Sequence, residues 1–228
     1  MRFPLIQADE NTVNKINKSE DLVKSPTPFM NVRAIAKKDY DTLDELRIPT
    51  FRPFEVGMFL YFDRHHANGE KFLRGEIYLA IRKSKEGKWA IHEISTILKP
   101  SDQAESLDTE AIEESRRILT LYMYTYETKN QELLKQLGWP YGDWDYEKFY
   151  KIAGSKIGGY NNSIATKIEI PQHSATKAHC LTTYLRRQYG GRPISIGRGV
   201  YITAKENGKW RWFLSGAYAT IHDYSNDV

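Results

Sequence analysis

Three short apolar runs, EVGMFLYFDRH (55–65), LRGEIYLAIRK (73–83) and KWAIHEIST (88–96), are separated by the spacers HANGE and SKEGK. Ile, Leu, Tyr and Phe crowd the runs, and each spacer holds the glycine that a reversing turn needs. A chain written this way pairs the runs antiparallel, so a β-meander over 54–98 is the firmest structural expectation.

The flanking segments are less regular. Before the meander, NTVNKINKSEDLVKSPTP suggests a short helix and an extended linker, FMNVRAIA a strand, and DYDTLDELRIP a turn of helix halted by Pro49. After it, 101–138 predicts one long helix. Acids gather in its first turns, Ile112, Leu119, Tyr122, Tyr126, Leu133 and Leu137 recur at helical steps, and Gly138 supplies a stop. The β-prone centre ILTLYMYTYE is compatible with a strand as well. A turn and short helix follow in GWPYGDWDYEKFYKIAG, then a loop (SKIGGYNNS) and a strand (IATKIEIP) closed by Pro171. A second helix is expected over 174–190, capped by Ser174, with Ala178, Leu181 and Leu185 on its buried stripe and Gly190 past its end. ISIGRGVYITA, KWRWFLSG and YATIHDYS complete the chain as strands.

The expected class is α+β: antiparallel sheets with a long central helix, and a second helix plus hairpin in a basic C-terminal half. The expected domains are an extended or linker region (1–52), a meander plus acidic helix (53–138) and a basic lobe (139–228), or all three as one continuous domain. RG followed by GKW occurs in both RGEIYLAIRKSKEGKW and RGVYITAKENGKW. The spacings differ by three residues, so shared turn chemistry explains the likeness better than duplication.

With 228 residues, 40% of them hydrophobic, the chain can bury a sizeable core. No apolar run approaches the ~18 residues of a membrane helix, and MRFPLIQADENTV lacks the apolar stretch of a secretory signal. The single cysteine, Cys180, excludes a disulfide framework and points to a reducing, cytoplasmic setting. Charge is segregated. Eleven acids against four bases give −7 over 101–147, and twelve bases against two acids give +10 over 148–211. Such a split either focuses potential toward a partner or folds upon itself.

Several constellations carry possible chemistry. RRQYGGRPISIGRG (186–199) packs four arginines and four glycines together. Arg186 and Arg187 suit the end of the expected helix, whereas Arg192 and Arg198 fall beyond it, among glycines that let a backbone approach a ligand. The next hairpin adds Lys205, Lys209 and Arg211 beside Tyr201 and Trp212. Basic groups tracking phosphates next to rings that stack on bases are the recipe for single-stranded nucleic acid. In a strand, however, Trp210 and Trp212 share the face opposite Arg211, and a core on that face would leave only the charges. Asp63, His65 and His66 offer a weak metal or general-base group, and Asp143, Asp145 and Glu147 a weaker one. Glu86 to Lys88 ends like a nuclease motif but sits in a turn. Cys180 and His222 form a nucleophile and base pair on paper, although Asp223 would point away from that imidazole. No phosphate-binding or dinucleotide fingerprint is present, so no cofactor is expected.

The first functional reading is a cytoplasmic nucleic-acid-binding protein, single-stranded or non-specific, holding phosphates through Arg186, Arg187, Arg192, Arg198, Lys205, Lys209 and Arg211, with Tyr189, Tyr201 or Trp212 stacking. The second is a structural or self-assembling protein, virion- or inclusion-like, whose acidic segment meets a neighbour's basic one. The third is a hydrolase using the metal group or Cys180. The sequence leans away from an enzyme.

Overall fold

The computed structural model describes residues 40–104, 106–128, 130–138, 161–188 and 191–224. The expectations for 1–39, for Asp143, Asp145 and Glu147, and for Tyr189 lie outside these residues. Two compact units divide the chain at Leu107 and Asp108.

In the first unit, β1 (Tyr40–Arg52), β2 (Glu55–His65), β3 (Lys71–Lys83) and β4 (Trp89–Pro100) form one antiparallel sheet in chain order. The meander is present as β2–β4. Its turns place Gly69 and Gly87 at positive φ. From Tyr40 onward the segment DYDTLDELRIP is not helical but part of β1. It pairs with β2 over most of its length, bulging between Leu43 and Glu45 and again between Arg47 and Thr50. Pro49 falls in that second irregularity, where a missing N–H costs least.

In the second unit, β5 (Asn161–Ser174), β6 (Lys177–Gln188), β7 (Pro193–Glu206) and β8 (Lys209–Asp223) form a second antiparallel meander. Helix α1 (Thr109–Thr128) packs on it, followed by the short α2 (Gln131–Leu137). Ala111, Ile118, Leu119, Tyr122 and Met123 of α1 meet Ala178, Cys180, Tyr184, Tyr201, Trp210 and Trp212 of the sheet in one buried cluster. The Ser115 and Thr203 hydroxyls pair at 2.5 Å within it. Asn207 and Gly208 turn β7 into β8 with both residues at positive φ, the signature of the two-residue hairpin turn.

The α+β class with a long central helix is therefore corrected: two four-stranded antiparallel sheets make up the bulk of the fold. The expected helix over 101–138 breaks into a 3-10 turn (Ser101–Gln103), α1 and α2. Local capping explains the breaks. The Asp108 carboxylate accepts the Ala111 N–H at 3.0 Å and starts α1, while the Asn130 side chain accepts the Leu133 N–H and starts α2. Gly138 does end the helical stretch, as the C-cap of α2.

The second expected helix, 174–190, is strand β6. Its Ala178, Leu181, Leu185 spacing imitates a helical stripe because residues on both of its faces are buried, including Ala178, His179, Cys180, Leu181 and Thr182. A strand buried on two sides loses its alternation, and periodicity alone no longer separates it from a helix. The last two expected strands are one, β8. Among the described residues no helix is long and apolar enough to cross a membrane.

Candidate interaction surfaces

Because β6 is a strand, its arginines alternate across the sheet. Arg186 turns to the helix side, where its guanidinium lies 5.1 Å from the Tyr184 ring centre and donates to that hydroxyl at 3.3 Å. Arg187 turns to the opposite side. Arg192 stands exposed beside the β6–β7 turn. Arg198 pairs in register with Thr183, and its Nε is buried without a hydrogen-bond partner.

The remaining candidate cations sit at the far end of the sheet. Arg198 and Lys205 are seven residues apart along β7, about 23 Å at ~3.3 Å per residue. Lys205 Nζ is 2.6 Å from Glu110, which also accepts the Trp210 indole N–H at 3.2 Å. The Lys205 hydrogen bond holds the Glu110 carboxyl below its ordinary value. Arg211 donates to the Gly138 carbonyl at 3.3 Å. Glu110, Glu114, Arg117, Lys209, Trp210 and Arg211 line a groove of about 570 Å³ here. Acidic and basic segments thus meet inside this unit.

The aromatic candidates belong to the core. Tyr122 stacks on Trp212 at 4.7 Å and meets Tyr201 edge-on at 5.7 Å. Trp210 and Trp212 are buried, as their shared strand face allows. Two glycines of the Arg/Gly segment, Gly197 and Gly199, serve the same core. A Cβ at Gly197 would lie 2.4 Å from the Tyr184 ring, and one at Gly199 would lie 3.2 Å from the Tyr201 ring. These residues make room for tyrosines of their own sheet rather than for a ligand.

Cys180 is fully buried on the helix side, and burial pushes its thiol up to about 12. His222 pairs with Ile196, five positions before Tyr201, the β7 partner of Cys180, and lies on the other face. The structure does not bring them together. Asp223 pairs with Ser195, on the face opposite His222. Asp63 is bridged by Lys71 at 2.9 Å and Arg74 at 3.0 Å, whose hydrogen bonds outweigh burial and keep its carboxyl low. His65 contacts Thr42 and the Gly69 carbonyl, while His66 stacks on Phe72 at 4.0 Å. Among the described residues no three His, Cys, Asp or Glu side chains are grouped to hold a metal ion.

The first unit holds what sequence reasoning missed. Residues directly opposite in an antiparallel ladder share a face, so the register sorts the sheet into two. One face carries Arg52, Glu55, Arg82 and Ala90 in one row and Thr42, Asp63, Arg74 and Lys99 in another, with Phe59, Tyr61, Glu76, Tyr78, Glu93 and Ile97 between. It is charged, yet Glu55, Glu76, Glu93 and Lys99 on it are at most 7% exposed.

Its charges are networked. Arg52 and Arg82 both donate to Glu55, and although burial raises that carboxyl, the two arginine hydrogen bonds win and hold it low. A bulge between Ile91 and Glu93 leaves His92 unpaired in the ladder. The His92 Nε2 lies 2.6 Å from Arg82, and its Nδ1 lies 3.6 Å from Glu93. Burial, opposed by Arg82 and reinforced by Glu55, raises the Glu93 carboxyl to about 7, with the Tyr78 hydroxyl 3.5 Å away.

The other face is apolar. Its rows are Phe51, Val56, Ile81 and Ile91; Met58, Leu79 and Ile94; Leu46, Leu60, Ile77 and Thr96; and Leu43, Phe62, Gly75 and Leu98. Phe51 is 66% exposed, Leu43 62%, Leu46 46%, Leu98 42% and Ile91 39%. Central residues Met58, Leu60, Ile77 and Leu79 are only half-buried. The face that carries the charged rows is the buried one, with Phe59, Tyr61, Tyr78, Ala80 and Ile97 as its apolar centre, while the wholly apolar face is exposed along the edge strands β1 and β4 and half-buried at its centre.

No family model matches the chain, and no curated protein matches its sequence. Two similar solved structures carry names. An uncharacterized protein with a cystatin-like fold from Caulobacter vibrioides is 18% identical, with a TM-score of 0.39 over 52% of this chain and 95% of that one. An Ntf2-like protein involved in plasmid conjugation is 10% identical, with a TM-score of 0.38 over 92% of this chain and 90% of that one.

Proposed function

We propose that the chain is a structural assembly protein that works by docking protein surfaces, with the apolar face of the first unit's sheet as its contact. The observation that carries this reading is a wholly apolar sheet face whose edge-strand residues Leu43, Leu46, Phe51, Ile91 and Leu98 are exposed. Single exposed apolar residues need no explanation, but a contiguous apolar block bounded by charged residues marks an interaction site. At one end Arg64 and Asp41 pair at 2.7 Å, and at the other Lys83 stands exposed. This reading does not call on the charge split, of which Glu110 and Lys205 pair within one chain. The single buried thiol fits a reducing, cytoplasmic compartment.

Light scattering across a salt series tests the reading. Apolar association persists from ~50 mM salt to several hundred millimolar, because screening acts on charges and not on burial. Association that dissolves as salt rises, or a monomer at every concentration, contradicts it.

A second reading, polyanion binding, keeps one observation in its favour. The Arg198 Nε is buried without a hydrogen-bond partner, and Arg192 stands exposed beside the β6–β7 turn. With Tyr201 and Trp212 in the core, this reading predicts phosphate contact without preference for single strands. Anisotropy of labelled single- and double-stranded oligonucleotides at ~50 and ~200 mM salt tests it, and loss of binding in an Arg192→Glu, Arg198→Glu variant supports it. Unchanged affinity in that variant removes it.

A further inference from the structure

We infer that the occupant of the apolar face is a second copy of the same chain, packed sheet on sheet about a twofold axis that lies between the sheets beside Met58, Leu60, Ile77 and Leu79. The inference rests on reading this face as a docking surface and adds the identity and geometry of its partner.

Three features of the face select this occupant. First, its ladder rows contain no charged residue, and Thr96 is their one hydrogen-bonding side chain. Charge enters only at its end, where Arg64 lies over the Phe62 ring and pairs with Asp41, and what complements the rows themselves is another flat apolar surface. Second, the shape is that of half a sandwich. Two antiparallel sheets pack face to face about 10 Å apart with their inner side chains interdigitated, and a meander of four strands provides one such layer. The same patch on two copies is self-complementary, which is what a closed twofold interface requires.

Third, the size is of the right order. From Val56 to Phe62 the block runs about 20 Å along β2 and about 15 Å across the strands, at ~3.3 Å per residue and ~4.8 Å per strand. The rows alone cover about 300 Å² in projection, and the exposed Ile48, Phe54 and Trp89 beside them extend the contact toward the ~1,000 Å² in total that a stable biological interface has to clear.

The geometric centre of the four rows falls among Met58, Leu60, Ile77 and Leu79, and only residues near a twofold axis meet their own copies. This makes the inference testable by chemistry, because the native thiol, Cys180, is fully buried and silent. Leu60→Cys and Ile77→Cys variants of the full chain each place a single reactive thiol at the centre, and Glu86→Cys places one on the exposed β3–β4 turn. A bifunctional maleimide long enough to cross the ~10 Å between packed sheets then joins Leu60→Cys and Ile77→Cys into covalent dimers and leaves Glu86→Cys monomeric. Two positions are used so that a folding defect in one variant leaves the other to decide.

Absence of cross-linking in both central variants overturns the inference. If the uncross-linked chains still associate, the assembly reading survives and the contact lies elsewhere. If they sediment as monomers, the second copy is excluded and the face awaits a different protein. A ladder of higher species in place of a dimer also overturns it, since an open head-to-tail contact, not a closed pair, gives that result.

Discussion

Replacing Glu93 by Gln isolates a strongly raised carboxyl of the first unit. In the folded chain its value is lifted from 4.5 to about 7 by burial, opposed by Arg82 and reinforced by the Glu55 charge. Such a group binds its proton more tightly folded than unfolded. Its stabilising contribution is complete below pH ~4.5, where it is protonated in both states, and disappears as pH rises through ~7. A shift of about 2.5 units at ~1.36 kcal/mol each amounts to about 3 kcal/mol.

Glutamine keeps the shape and the acceptor for Tyr78 but cannot ionise, so E93Q loses none of this. Glu55 and His92 titrate as well. Glu55, held low, loses its contribution only as pH falls below ~4.5, and His92, lowered chiefly by burial, loses its own as pH falls below ~6.5. Both remain in both proteins, so the difference between them keeps only their coupling to Glu93. Hydrogen exchange of the β3 and β4 amides, measured from pH 4.5 to 8, reports the opening free energy of this sheet. Wild type is expected to weaken against E93Q by about 3 kcal/mol across the window, most of it between pH 5 and 7. Curves that stay parallel, or that diverge with wild type gaining on the variant, refute the argument.

The core of the second unit gives two further predictions. Gly197→Ala drives a methyl to 2.4 Å from the Tyr184 ring and is expected to cost ~1–3 kcal/mol by overpacking, read as a lower urea midpoint with unchanged slope. Unaltered stability would mean that the ring moves freely and that the glycine serves something else. Cys180, buried and with its thiol pushed up to about 12, is expected to resist maleimide in the native chain and react on unfolding in urea. Rapid native labelling would reopen the question of a functional thiol.

The parts of this fold that sequence makes legible are those where local chemistry and tertiary burial agree. β2 and β3 alternate between an apolar and a polar face and end in glycine turns, so EVGMFLYFDRH and LRGEIYLAIRK announce themselves. β6 does not, because both of its faces are buried and CLTTYL serves a two-sided strand as well as a helix. The acids ahead of Ile112 are those of a helix start, but the breaks at Asp108 and Asn130 depend on two side-chain caps that a periodic pattern overrides on paper. The charge segregation was visible in the chain, and its partner was not, since Lys205 and Glu110 are 95 residues apart.

The apolar face was also written in the sequence. Val56, Met58, Leu60 and Phe62 alternate with Glu55, Phe59, Tyr61 and Asp63. What the pattern lacks is the sign of burial: alternation says that a strand has two unlike faces, and the ordinary assumption puts the apolar one inside. In the fold the other face, where Glu55 at 1% and Glu93 at 7% exposure lie beside buried Phe59, Tyr61 and Tyr78, is the buried side.

Sedimentation equilibrium of the full chain beside an Ile77→Asp, Leu79→Asp variant tests the assembly account most directly. Both substitutions lie on the half-buried centre of the face, so two buried carboxylates per copy would oppose docking without entering a packed core. The account predicts a concentration-dependent dimer for the wild type and a monomer for the variant. Equal masses for the two proteins, whether both monomeric or both associated, would contradict it.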